Sequence, residues 1–241
     1  MKVYSKTDTG KKREINQDAF YVGQFDNSAV FAVVCDGMGG AKSGNVASST
    51  SATVISDYIV KSYSPKMNSA SLENMLRAAV ASANTEVYEL ANETEEHKGM
   101  GTTVVVAFIA ENLAHIVHVG DSRAYLITSS EIEQLTTDHS VVQAMVNNGE
   151  ISEEEAKIHP RKNIITRAIG TEPEVRCDYN IALKPENAAL LICTDGLSNH
   201  LDEQKLFETV KNTPQEETAQ MLIDKANEAG GTDNITAVLI Y

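Results

Sequence analysis

Hydrophobic positions along this chain follow two rhythms. Compact runs rich in Val, Ile and Ala fall at 19–22, 30–35, 102–110, 114–119, 124–128, 188–193 and 235–240, and runs of this length between turn residues predict strands. Short turns around Glu111-Asn112 in "AFIAENLAHIV" and Ser129-Ser130 in "YLITSSEIEQL" join successive runs, which makes antiparallel hairpins the economical topology. Elsewhere the spacing is helical. Leu72, Met75, Leu76, Ala79, Val80, Ala83, Val87, Leu90 and Ala91 recur at i, i+3, i+4, i+7 and form a single apolar stripe. A weaker stripe through Val46, Val54, Ile55 and Ile59 predicts a helix over 43–63, and Pro214 at the first helical position with Gly230-Gly231 beyond the end frames a last helix. Helices early and late with strands between them predict packed antiparallel sheets with helices outside.

Neither a linker, a repeat nor a low-complexity stretch interrupts the 241 residues, so one domain over 1–241 is expected. A 42% hydrophobic chain of this length can bury a substantial core. The net charge of −14 argues against nucleic acid and anionic membrane as partners, which are held by excess Lys and Arg. Three cysteines, two of them (Cys35 and Cys193) inside apolar runs, suit free thiols in a reducing compartment. The start "MKVYSKTDTGKKREINQD" lacks the apolar segment of a signal peptide and no later run is long enough for a membrane span. A cytoplasmic protein is expected.

Chemistry enters at the strand ends. "VVCDGMGG" places Asp36 behind an apolar run and follows it with three glycines in four residues; "LLICTDGLS" repeats the pattern at Asp195, "HVGDSRAY" ends a strand at Asp121, and "GGTDNITAV" sets Asp233 before the last strand. A lone Asp-Gly is ordinarily a turn, but four acids at the ends of neighbouring strands would repel one another unless a cation neutralised them. Oxygen ligands of this kind suit Mg²⁺ or Mn²⁺ rather than Zn²⁺. His115 and His118, three apart on one strand, point to opposite faces and cannot share an ion. Arg13 in "KKREINQD" could hold a phosphate in a two-pronged fork, while Lys11 and Lys12 read as a solvated basic edge.

The ordered set "REINQDAF", "VVCDGMGGAKSG", "MGTTVVV", "HVGDSRAYL", "LTTDHS", "ITRAIG", "LLICTDGLS" and "GGTDNITAV" resembles the metal-dependent Ser/Thr protein phosphatases of the 2C type (PPM family), in their compact bacterial form, over about residues 4–241. The resemblance implies an α+β fold of four layers, αββα: a central β-sandwich of two antiparallel sheets flanked by helix pairs. It implies that Asp36 bridges two ions, that the carbonyl of Gly37 with Asp195 and Asp233 completes their protein ligands, and that Asp18 holds ion-bound water. Asp121 with Asp195 matches a third ion site near a flap over about 140–163. Arg13 matches the phosphate-binding arginine, and Thr194 and Asn234 match supporting positions behind the ligands. The implied reaction is hydrolysis of phosphoserine and phosphothreonine by in-line attack of a hydroxide shared between Mn²⁺ or Mg²⁺ ions. The implied partners are phosphorylated proteins, among them the substrates of a Ser/Thr kinase and the kinase itself, met by a monomer. Met38 stands where animal relatives carry a histidine proposed as general acid, so the proton donor is open, with His139 and His159 as candidates if the flap closes.

Other phosphotransfer chemistries lack their residues. The position six after each cysteine, where a thiolate phosphatase needs arginine, holds Ala41, Leu183 or Asn199, and neither an Asp-x-Asp nucleophile pattern nor a Gly-Lys-Ser/Thr phosphate loop is present. The alternative is a pseudophosphatase or partner-switching regulator of the same fold; a chain of that kind is expected to have lost metal acids, and this one has kept them.

Overall fold

A computed structural model describes residues 1–26 and 28–241. In chain order the elements are β1 (Val3–Asp8), β2 (Asp18–Gln24), β3 (Val30–Met38), α1 (Gly40–Ser62), α2 (Ser69–Glu93), β4 (Gly101–Thr102), β5 (Val104–Ala110), β6 (Leu113–Val119), β7 (Arg123–Ile127), β8 (Ile132–Gln134), α3 (Val141–Asn147), α4 (Glu153–Ile158), β9 (Asp178–Leu183), β10 (Ala189–Cys193), α5 (Asp195–Ser198), α6 (Glu203–Asn212), α7 (Gln215–Glu228) and β11 (Ile235–Ile240). One sheet runs β1-β11-β10-β7-β8 and the other β2-β3-β5-β6-β9, with β4 beside β3; the pairings are antiparallel.

Strand β3 shows why its sequence is apolar without alternation. Val30, Ala32 and Val34 pack between the sheets with Ile116, Leu190 and Val238, while Phe31, Val33 and Cys35 face Ile55, Ile59, Leu76 and Val80 of α1 and α2. Both faces are buried, so both sets of side chains are hydrophobic. On the far side Leu191, Leu239 and Tyr125 meet Leu206, Leu222 and Ile223 of α6 and α7. The result is the four-layer αββα arrangement.

Several expectations shift. Strands β1 and β9 lie at sheet edges, and their mixed burial explains why "VYSKTD" and "DYNIAL" carry no apolar run. The strand expected over 102–110 breaks at Thr103, whose N–H donates to the Asp36 carbonyl at 2.9 Å instead of continuing a ladder. Helix α1 starts at Gly40, three residues before the expected start; Gly39 ahead of it has φ 110°, and a side chain there would press on the Met100 backbone. Pro214 is the N-cap of α7, one position outside the helix. Gly230 and Gly231, at φ 139° and 55°, end that helix as anticipated. Cys35, Cys177 and Cys193 are buried free thiols. Among the described residues no helix is long and apolar enough to cross a membrane.

Candidate metal centre and phosphate cleft

Register builds the first acid pair. Asp18 on β2 lies directly opposite Asp36 on β3, so both side chains share a face. Two hydroxyls from the other sheet reach across to it: Thr194 and Thr236 donate to Oδ2 of Asp18 at 2.9 and 2.7 Å. Thr194 also accepts the Thr236 N–H at 3.0 Å, which fixes its rotamer. Asp195 opens α5 with only Thr194 between it and β10, and Asp233 stands one residue, Asn234, ahead of β11, while Asp121 sits in the β6–β7 turn. Neighbouring strand ends thus deliver the acids to one end of the sandwich.

They open on a cleft of about 960 Å³ lined by Asp36, Gly37, Asp121, Asp195 and Asp233, with Arg13 on its wall. Asp18 lies behind these residues. Arg13 donates from Nη2 to Oδ2 of Asp233 at 2.8 Å. Asn234 holds the segment that carries Arg13: its Nδ2 donates to the carbonyls of Thr9 and Ile15 at 2.9 and 3.0 Å, and its Oδ1 accepts the Gln17 N–H at 2.8 Å. The supporting positions expected at Thr194 and Asn234 therefore each touch a residue that meets, or stands behind, the cleft.

Burial and mutual repulsion both favour protonated acids here. Burial chiefly, then Asp195 and Asp233, raise Asp18 to about 7 against the hydroxyl bonds that lower it. Burial followed by Asp18, Asp195, Asp121 and Asp233 holds Asp36 well above the carboxylate range. Asp121 rises to about 8 through burial and Asp195, and Asp195 is raised by burial and Asp233.

These residues fit a hard divalent cation. Oδ1 of Asp18 and Oδ1 of Asp195 are buried with no hydrogen-bond partner among the described residues, a costly state for an acceptor unless something else binds it. No three His, Cys, Asp or Glu side chains among the described residues form a ready-made cage, so the fit rests on the stored charge and unpaired oxygens. Water would complete each shell, as Mg²⁺ commonly requires.

Some contributors carried no signal in the sequence. Thr103 accepts the Asp36 N–H on its hydroxyl at 3.0 Å and shares a 2.8 Å bond with Ser122, linking β3 to the turn of Asp121. Gly44 lets α1 approach Gly37: a side chain on Gly37 would overlap the Gly44 carbonyl. His200 spans the turns of Asp195 and Asp233, bonding the Gly196 carbonyl at 2.8 Å and accepting from the Thr232 N–H at 3.3 Å. Thr236 looked like any strand threonine, because its partner Asp18 lies 218 residues away. Thr236→Val is expected to lower stability by about 1–3 kcal/mol at pH 8, where an ionised Asp18 loses a donor; equal urea midpoints for variant and wild type would remove Thr236 from this role.

The histidines occupy other places. His115 bonds the Tyr179 hydroxyl at 2.7 Å and His118 the Thr137 carbonyl at 2.9 Å, each within the packed protein. His139 is buried against His118, with ring centroids 4.6 Å apart. Its Nδ1 accepts the Gly120 N–H at 3.1 Å, its Nε2 lies 3.3 Å from Asp178, and burial first, then His118, lowers its pKa. It braces the turn of Asp121 and does not line the cleft. His159 ends α4 and accepts the Arg161 N–H at 3.1 Å, also away from the cleft wall. Lys11 and Lys12 are exposed, although Lys12 reaches the cleft margin. The excursion with α3 and α4 closes at its base through a Ser140–Ile165 bridge and sends Lys162, Asn163 and Ile165 to the cleft.

Comparison with known proteins identifies the family of the chain. The family model described as Protein phosphatase 2C matches residues 8–226. A serine/threonine phosphatase, stp, of Listeria monocytogenes is 38% identical over 236 residues, covering 98% of this chain and 93% of the relative. The serine/threonine phosphatase of S. agalactiae superposes with a TM-score of 0.92 at 33% identity, covering 100% and 98% of the two chains. The catalytic domain of the serine/threonine phosphatase PstP, solved with two manganese ions, gives 0.84 at 30% identity over 99% and 96%.

Proposed function

The chain belongs to the protein phosphatase 2C family and is a metal-dependent serine/threonine protein phosphatase, and on that premise we propose how its cleft works. The observation that carries the reading is the convergence of Asp36, Asp121, Asp195 and Asp233, with Asp18 behind them, on a cleft that also holds Arg13. Asp36, the Gly37 carbonyl, Asp195 and Asp233 are the residues that would hold two ions, and Asp121 with Asp195 those that would hold a third. Bound Mn²⁺ or Mg²⁺ would cancel the stored charge and acidify a water to near neutrality, giving a nucleophile for in-line attack on phosphorus.

The chain's own residues do the rest. Asp18, clamped by Thr194 and Thr236, offers its unpaired Oδ1 as an acceptor that would hold a water. Arg13, half exposed, swings its fork between Asp233 and the phosphoryl oxygens, which it holds and neutralises. Burial pushes the thiols of Cys35 and Cys193 up, the latter to about 12, which keeps these two protonated and unsuited to act as nucleophiles. Residues 140–163 act as a flap within a single catalytic domain, and Lys162 and Asn163 bring its chemistry to the substrate. Phosphoproteins are the substrates; a Ser/Thr kinase and its targets are the partners we infer for a monomeric enzyme. Three reduced thiols support a cytoplasmic location.

The deciding assay compares phosphothreonine and phosphotyrosine peptides with Mn²⁺ and with a chelator. Hydrolysis of phosphothreonine that needs the metal is expected; chelator-insensitive turnover would refute the reading. Arg13→Ala should raise KM about tenfold or more with a smaller effect on kcat, since it removes a phosphate contact and leaves the nucleophile. An unchanged KM would take the phosphate away from Arg13.

A further inference from the structure

Two of the acid-bearing turns are tied to each other by an imidazole. The segments that carry Asp195 and Asp233 adjoin neighbouring strands, β10 and β11, whose pairing extends as far as a 3.2 Å bond from the Thr194 N–H to the Thr236 carbonyl. Past that bond the two turns separate. Gly230 and Gly231, both at positive φ, lead into the Asp233 turn, which a 2.7 Å bond from the Lys11 N–H to the Gly231 carbonyl ties to the N-terminal segment. His200 ties it to the Asp195 turn. Its Nδ1 lies 2.8 Å from the Gly196 carbonyl, next to Asp195; its Nε2 lies 3.3 Å from the Thr232 backbone nitrogen and 3.1 Å from the Thr232 hydroxyl, next to Asp233. A carbonyl only accepts and a backbone N–H only donates. One state of the ring satisfies both ends: neutral, with its proton on Nδ1 and its lone pair on Nε2. The other tautomer would aim a lone pair at the carbonyl and a hydrogen at the Thr232 N–H, and an imidazolium would do the second of these.

We propose that His200 is a positioning residue for the metal centre: as the Nδ1–H tautomer it holds the Asp195 and Asp233 turns at one spacing, so that both carboxylates are in place before an ion arrives. This rests on the reading of Asp195 and Asp233 as metal ligands given above. The two carboxylates repel each other while no cation lies between them. A neutral tie that resists this repulsion spares the incoming ion the cost of drawing the turns together. Groups hydrogen-bonded behind metal ligands typically set affinity by about 10–100-fold. His200 also lines the cleft, where a histidine could be taken for the proton donor to the leaving group. In the tautomer that the two turns select, however, Nε2 accepts from Thr232 and has no proton to give, and the Nδ1 proton is held by the Gly196 carbonyl. The ring is a brace between ligands.

The test pairs NMR with calorimetry on the full chain stripped of metal. At about pH 8, above the ordinary histidine range, long-range ¹H–¹⁵N spectra should show His200 with a protonated Nδ1 and an unprotonated Nε2, and the Thr232 amide should exchange slowly with solvent. His200→Asn keeps a short donor for the Gly196 carbonyl and gives up Thr232; His200→Gln can reach Thr232 with its amide oxygen and gives up Gly196. Either change cuts the tie at one end. Both variants should keep a Tm within a few degrees of wild type, yet bind Mn²⁺ about tenfold more weakly by calorimetry. Their turnover should fall at limiting Mn²⁺ and recover as Mn²⁺ is raised. A proton donor would give the reverse, unchanged Mn²⁺ affinity with turnover lost at every metal concentration, and that pattern overturns the proposal. So does an Nε2–H tautomer in wild type, or wild-type affinity in both variants. A wild-type protein that binds no Mn²⁺ would instead overturn the metal centre itself, and the brace with it.

Discussion

Asp36→Asn is expected to leave less than about a thousandth of wild-type turnover while the metal-free protein becomes at least as stable as wild type. Asp36 faces Asp18 across the β2–β3 ladder and lies within the influence of Asp195, Asp121 and Asp233. In the metal-free state its carboxyl keeps a proton because ionisation would add one more buried negative charge. Asn reproduces the size and hydrogen bonding of that protonated form, so the fold loses little, and the variant escapes the repulsion by Asp18, Asp195, Asp121 and Asp233 that an ionised Asp36 would meet. Each kcal/mol relieved is worth roughly 2–4 °C in Tm for a chain of this length. The same change removes the charge that two cations would share, so Mg²⁺ should raise the Tm of wild type and leave the variant nearly unmoved. Turnover is lost because the electrostatic and nucleophilic contributions of bound metal go together. Retained activity with a wild-type response to Mg²⁺ would show that Asp36 is not the shared ligand.

The second large effect is a pH dependence whose sign is opposite to that of most carboxylates. Asp18 and Asp121 have folded-state values of about 7 and 8 against 3.8 for an exposed aspartate. The folded metal-free protein therefore binds more protons than the unfolded chain. Stability from these groups is fully present below about pH 4 and is lost as pH rises through 7 and 8. For Asp18 alone the difference is on the order of 4 kcal/mol, large against the ordinary stability of a domain. Burial lowers His118 and His139 below their usual 6.5, which costs stability on the acid side. The acid cluster therefore dominates between about pH 6.5 and 9. With a chelator present the urea midpoint should fall across that window; saturating Mg²⁺, which takes over the role of the protons, should flatten or reverse the slope. A chelated protein as stable at pH 8.5 as at pH 6.5 would mean that the acids do not share one buried environment.

The parts of this molecule that were legible in its sequence are those with local causes. Val30 to Cys35 read as a strand because both of its faces are covered, and the stripe from Leu72 to Ala91 read as a helix because one side lies on a sheet. The acids at 36, 121, 195 and 233 stood out because each interrupts an apolar rhythm at a strand end. Edge strands β1 and β9 escaped notice for the converse reason: half of each faces water, so polar residues blur the period. Helix α6 was missed although its buried Leu206, Thr209 and Val210 lie on one side, because three positions in a short polar segment make a faint stripe.

By itself the sequence determined which segments would be buried, on how many sides, and where carboxylates would emerge from them. These follow from periods of two and 3.6 residues, which are properties of the local backbone. Only the tertiary structure decided that Asp18 stands opposite Asp36, that Thr194 and Thr236 reach it from the other sheet, and that Arg13 pairs with Asp233 across 220 positions of chain. Those contacts depend on strand register and on how two sheets lie against each other. A shift of one residue in register would turn Asp18, Asp36 or Thr236 to the opposite face without altering a letter of the local pattern.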